Sequence, residues 1–176
     1  MNVPKKKYKF RDAVVFLILL NIFAIPLYVA LFTNFSFAPL QELNAKMLYW
    51  TLKVFGFKAT IDGYDVELFG GMNAQMIEIS WDSTAWKSMY ALAALVIATP
   101  ILQLSHRIKV ALLGVGIIFV LNYIRVSTTI LASVFFGFNT FDLIHGLLWR
   151  EGMILAVLAI WMLWMRREKY NIAKIK

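Results

Sequence analysis

Long apolar runs separated by short charged segments set the pattern of this chain. Residues 13–32 are apolar except for Asn21, long enough to cross a hydrocarbon core that needs about 20 helical residues. The apolar pattern resumes over 84–104, 110–136 and 145–165. Thr33–Trp81 is the one sizeable stretch of mixed polarity. Within it, 39–55 predicts an amphipathic helix lying on a membrane surface. Residues 57–79 alternate around the Asp62-Gly63 pair, which predicts a small β-hairpin or meander. The pattern therefore predicts an α-helical integral membrane protein. It is a bundle of about four transmembrane helices with an external amphipathic helix plus β-hairpin insertion, forming one membrane domain over 1–176.

Composition supports that class. The 176 residues are 61% hydrophobic and 16% charged, with a mean hydropathy of +0.70. A net charge of +8 on a soluble surface would suit nucleic acid, but here the basic residues bunch outside the apolar runs. Lys5, Lys6, Lys7, Lys9 and Arg11 precede the first run; Arg107 and Lys109 follow the second. Arg166, Arg167, Lys169, Lys174 and Lys176 follow the last. These twelve of eighteen basic residues predict, by the positive-inside rule, four spans with both termini cytoplasmic and 33–81 and 137–144 outside. No nucleic-acid partner is expected. The first run is long for the apolar core of a signal peptide and no small-x-small site follows it, so it reads as a retained span. There is no cysteine, which excludes disulfides and thiolate metal sites, and no metal or organic cofactor is expected.

Polar residues inside the apolar runs carry the candidate chemistry. Asp82-Ser83-Thr84 precedes the second run and predicts a helix N-terminus there, where the dipole and unpaired N–H groups stabilise an anion. Simple capping accounts for these residues equally well. Lys87, four residues beyond Ser83, would share its helix face. In the third run, Asn122, Arg125, Thr129 and Ser133 recur at helical spacing and form a polar stripe suited to a bundle interior. Arg125 reads either as a functional buried cation or as an arginine snorkelling to the headgroups. His145 opens the fourth run three residues after Asp142, which could set its tautomer. Arg150 and Glu151 lie one to two turns further on. Counted at about 1.5 Å per residue from the cytoplasmic ends, Ser83, Arg125 and His145 all reach the level of the outer leaflet. His106, on the opposite side, reads as merely solvated. Trp81, Trp86, Trp149, Trp164 and Tyr28 read as an interfacial belt.

Three blocks in this order resemble the exosortase and archaeosortase membrane transpeptidases. WDSTAWKSMYAL resembles the family's cysteine-bearing first block, LNYIRVSTTIL its Asn-x-x-Arg helix, and DLIHGLLWREG its third block, with a His or Arg at the outer end of a later helix. The departure is Ser83 at the position of the family's cysteine. It reads as an active-site variant or as a natural serine form; the otherwise intact motif favours the variant. The resemblance implies attack by position 83 on a peptide carbonyl, His145 as general base and then acid, and Arg125 stabilising the oxyanion. Asp82, Lys87, Asn122, Asp142 and Arg150 would support them. The substrates implied are surface proteins ending in a short motif, a transmembrane helix and a basic tail. They would be processed at the external face of the cell membrane and transferred to an acceptor such as a lipid amine. A chain with serine at position 83 would be slow or inactive. The alternatives are a serine-type membrane hydrolase using Ser83 with Lys87 or His145, and a non-catalytic scaffold held together by Arg125.

Overall fold

A computed structural model describes residues 10–70, 73–100, 102–136 and 150–174 of the chain. The elements run α1 (Phe10–Phe32), α2 (Ala38–Val54), β1 (Lys58–Asp62), β2 (Asp65–Gly70), β3 (Asn73–Glu78), a 3-10 turn (Trp81–Thr84), α3 (Trp86–Ala98), α4 (Leu104–Phe136) and α5 (Arg150–Lys174). Among the described residues, α1 and α4 are the helices long and apolar enough to cross a membrane. Backbone contacts divide the chain into two compact units. One comprises 1–35, 87–116 and 154–176; the other comprises 36–86 and 117–153.

The predicted second span is shorter than its apolar run. Helix α3 has 13 residues, about 20 Å at 1.5 Å per residue, less than the roughly 30 Å of a hydrocarbon core. Its start is set by Ala85, whose φ of 57° lies in the left-handed region, and its end by Thr99-Pro100, where proline disfavours helix in the residue before it. Nor is 106–109 a loop: His106, Arg107 and Lys109 lie in the first turns of α4, which runs for 33 residues.

In the first unit, polar side chains close the helix ends. The Arg107 guanidinium donates to the carbonyls of Ile97 and Thr99 at the C-terminus of α3, where cations suit the helix dipole. Trp161 Nε1 donates to Thr99 Oγ1 at 2.9 Å, and Phe16 stacks on Trp161 with centroids 6.0 Å apart. His106 Nε2 lies 3.3 Å from Glu168 Oε1, so this histidine is paired rather than merely solvated. Tyr90 Oη donates to the Phe23 carbonyl, in the stretch of α1 loosened by Pro26, which removes one backbone donor.

The second unit is a small layered core. The alternating segment folds as a three-stranded antiparallel sheet in the order β1-β2-β3, one strand more than a hairpin. Gly63, at φ 58°, supplies the left-handed position of the β1–β2 turn. Register places Ile61, Val66 and Ile77 in one cross-strand row and Ala59 and Leu68 in the next. These pack with Leu48 and Leu52 of α2 and Ile130 of α4. The apolar stripe of α2 is thus spent on the sheet and α4. One residue over in register, Asp62, Asp65 and Glu78 form a row of three carboxylates.

Gly114 of α4 meets Leu92 of α3: a Cβ there would stand 2.8 Å from Leu92 Cδ2, whereas one at Gly116 meets nothing within 4 Å. Both Gly→Ala changes gain about 1 kcal/mol of helix propensity, so their difference isolates the contact. Gly114→Ala should be less stable than Gly116→Ala by about 1–3 kcal/mol, measured as thermal unfolding in one detergent. Equal stabilities would mean that the helices do not approach closely at Gly114.

Candidate active site

Ser83 lies not on the first turn of an α-helix but in the 3-10 turn Trp81–Thr84. The residue that caps this turn is Ser80. Its Oγ accepts from the Ser83 N–H at 3.3 Å, and its hydroxyl shares a hydrogen bond with Ser83 Oγ at 2.8 Å. The Ser83 N–H also reaches the Ser80 carbonyl at 3.0 Å. Trp81 and Trp86 stack across the turn, with centroids 5.3 Å apart and planes at 17°.

The elbow ends at Ala85, buried and left-handed, a conformation that costs an L-residue about 1–2 kcal/mol. This break defeats the expected helical relation between Ser83 and Lys87. Ser83 belongs to the 3-10 turn, Lys87 to the first turn of α3, and a left-handed residue between them interrupts the i,i+4 spacing. Asp82 is exposed in the turn itself.

The polar stripe of α4 is buried as its spacing predicts: Asn122 and Ser133 are fully buried, and Thr129 nearly so. Its hydroxyls bond to their own helix, Thr129 Oγ1 to the Arg125 carbonyl and Ser133 Oγ to the Thr129 carbonyl. Asn122 instead reaches out. Its Nδ2 donates to the Ser83 carbonyl at 2.9 Å and to Asn44 Oδ1 at 3.3 Å. The first and second sequence blocks therefore meet through a buried amide. Arg125 follows three residues later, so it shares a helix face with the residue that grips the elbow. Its side chain is half-buried and has no ion pair or hydrogen bond among the described residues. His145 and Asp142 lie outside the described residues, as does the Arg150 side chain. Arg150 itself is the first residue of α5.

Two contributors escape motif reading, Gln41 and Asn44 of α2. Both are buried, Gln41 Nε2 donating to the Ile79 carbonyl at 2.9 Å and Asn44 Nδ2 to the Leu40 carbonyl at 2.8 Å. Their signal was positional, since they interrupt an otherwise apolar stripe (Ala45, Leu48, Leu52) at its own spacing. Among the described residues no group of His, Asp or Glu is arranged to hold a metal ion.

Residues 8–149 match the sequence profile of the transmembrane exosortases. No curated protein and no solved structure matches the chain.

The elbow's strain yields a prediction. A β-branched residue at a left-handed position is a strong outlier, whereas glycine adopts it freely. Ala85→Val should destabilise the protein by about 2 kcal/mol more than Ala85→Gly. Similar unfolding temperatures for the two would show that residue 85 is not held left-handed.

Proposed function

Because the chain belongs to the transmembrane exosortase family, whose members are membrane proteins of transpeptidase type that act on C-terminal sorting signals, we propose that residue 83 is its point of attack on a substrate carbonyl. The observation that carries this reading is the 2.9 Å bond from Asn122 to the Ser83 carbonyl. It brings the block around residue 83 within one helical turn of Arg125, the cation suited to an oxyanion. In this reading Arg125 stabilises the negative oxygen of the tetrahedral intermediate. His145 takes the proton from the nucleophile and returns it to the leaving amine. An acyl-enzyme forms as the peptide C–N bond breaks, and an acceptor amine, a lipid amine being one candidate, then displaces residue 83. Asp142 would orient His145; Asn122 holds the elbow, and Asp82, Lys87 and Arg150 would tune the local field.

A serine hydroxyl needs stronger activation than a thiol, whose thiolate is readily formed near neutrality. Among the described residues the Ser83 hydroxyl is hydrogen-bonded to the Ser80 hydroxyl. The chain with Ser83 is therefore slow in acyl transfer, and a thiol at the same position restores the family's chemistry.

With a substrate bearing a motif, a transmembrane helix and a basic tail, Ser83→Cys should raise processing by at least about 100-fold. Arg125→Ala in that background should remove about 100–1,000-fold of it. Stoichiometric labelling of Ser83 by a fluorophosphonate, with efficient turnover by the serine protein, would instead assign the chain to serine-type hydrolases. An unchanged cellular phenotype after replacing both Arg125 and His145 would instead leave the chain as a scaffold.

The same reading sets both termini in the cytoplasm and the sheet and elbow at the external face of the cell membrane. Reporter fusions after Arg107 or Lys169 should read as cytoplasmic, and fusions at Asp62 or Asn139 as external. An external reading after Lys169 would overturn this topology.

A further inference from the structure

The segment Ile79–Ser83 is fixed at both ends through its backbone, and side-chain amides of α2 and α4 supply the fixing. At the sheet end, the Ile79 N–H donates to the Tyr64 carbonyl at 3.1 Å, while the Ile79 carbonyl accepts from Gln41 Nε2 at 2.9 Å. At the other end, the Ser83 N–H bonds within the turn, while the Ser83 carbonyl accepts from Asn122 Nδ2. Asn122 is itself oriented by Asn44. The Asn44 amide group can face only one way, because its Nδ2 is committed to the Leu40 carbonyl. That leaves Asn44 Oδ1 directed at the second N–H of Asn122.

Gln41 and Asn44 are three residues apart on one face of α2. Each is more than nine-tenths buried, so water cannot replace either bond without opening the core. We propose that Gln41 and Asn44 are positioning residues for the attacking side chain. Through the carbonyls of Ile79 and, by way of Asn122, Ser83, they set the direction in which side chain 83 leaves the elbow. The proposal rests on residue 83 being the point of attack. Neither residue touches substrate. Their effect is on geometry, where a displacement of about 1 Å can cost about 100-fold in rate.

The test uses the full chain in lipid nanodiscs, with near-isosteric replacements that keep core volume: Gln41→Met and Asn44→Leu. Amide hydrogen exchange on the serine protein needs no activity. In each variant the peptide covering 79–86 should exchange at least about tenfold faster, with β1, β2 and the rest of α2 unchanged, as expected for local opening. In the Ser83→Cys background each variant should lower kcat at least about tenfold, with KM within about twofold, the signature of a group acting only on the reacting geometry. Asn44→Leu combined with Asn122→Leu should cost little more than Asn122→Leu alone, because the two act in series. Unchanged exchange over 79–86 would overturn the proposal. So would faster exchange across the whole sheet, which marks a merely structural role, or faster local exchange with kcat untouched. If Ser83→Cys processes no substrate, the assignment of residue 83 fails by itself, and exchange still decides whether the two amides hold the elbow.

Discussion

A side-chain amide sealed away from water must match its donors with acceptors or lose about 1–3 kcal/mol for each one left bare. Asn122 is fully buried and matches both of its N–H groups, one on the Ser83 carbonyl and one on Asn44, while its own Oδ1 has no partner among the described residues. Much else in the second unit depends on that requirement. It ties the middle of a long apolar helix to a short 3-10 turn and to an amphipathic helix nearly eighty residues earlier in sequence. Hydrophobic packing alone could not specify this arrangement. Leu48, Leu52, Val66 and Ile130 are held by non-directional contacts that would tolerate small slides, and the amide makes one register preferable to its neighbours.

Two further directional features narrow the elbow. Ala85 accepts a left-handed backbone without glycine's freedom, a cost that persists only where the surroundings over-determine the conformation. The stacked Trp81 and Trp86 join the first residue of the turn to the first residue of α3. Strain, a buried amide and an aromatic pair thus converge on four residues, a concentration of directional contacts that a plain connection between a strand and a helix does not need.

What could be read from sequence follows from how local each signal is. The first span was legible because 23 consecutive residues carry it. The alternation around Asp62-Gly63 was legible because pleating and turn geometry are encoded within a few residues. The polar stripe from Asn122 to Ser133 was legible at helical spacing, including its burial. The elbow was not. Nothing in Ala85 announces a left-handed residue, so Asp82-Ser83-Thr84 passes for the start of a helix that in fact begins at Trp86. Proline at 100 was visible, yet the apolar residues on either side of it blur one short helix into a full span. Gln41 and Asn44 could not be assigned to the site from pattern alone, because their partners are backbone carbonyls, which every residue carries. His145 and Asp142 remain where the resemblance put them, on motif alone.

The row of Asp62, Asp65 and Glu78 across the three strands gives the sheet a dependence on its medium. Like charges directly opposite one another weaken a sheet, and their repulsion reaches about 30 Å at 0.01 M salt but about 10 Å at 0.1 M. The strand at one end of that row, β3, runs straight into Ser80 and Ser83. Salt therefore softens the mutual repulsion of the row, and dilute buffer leaves it closer to full strength. The ionic strength in which the protein is extracted and handled becomes a variable of this sheet's stability.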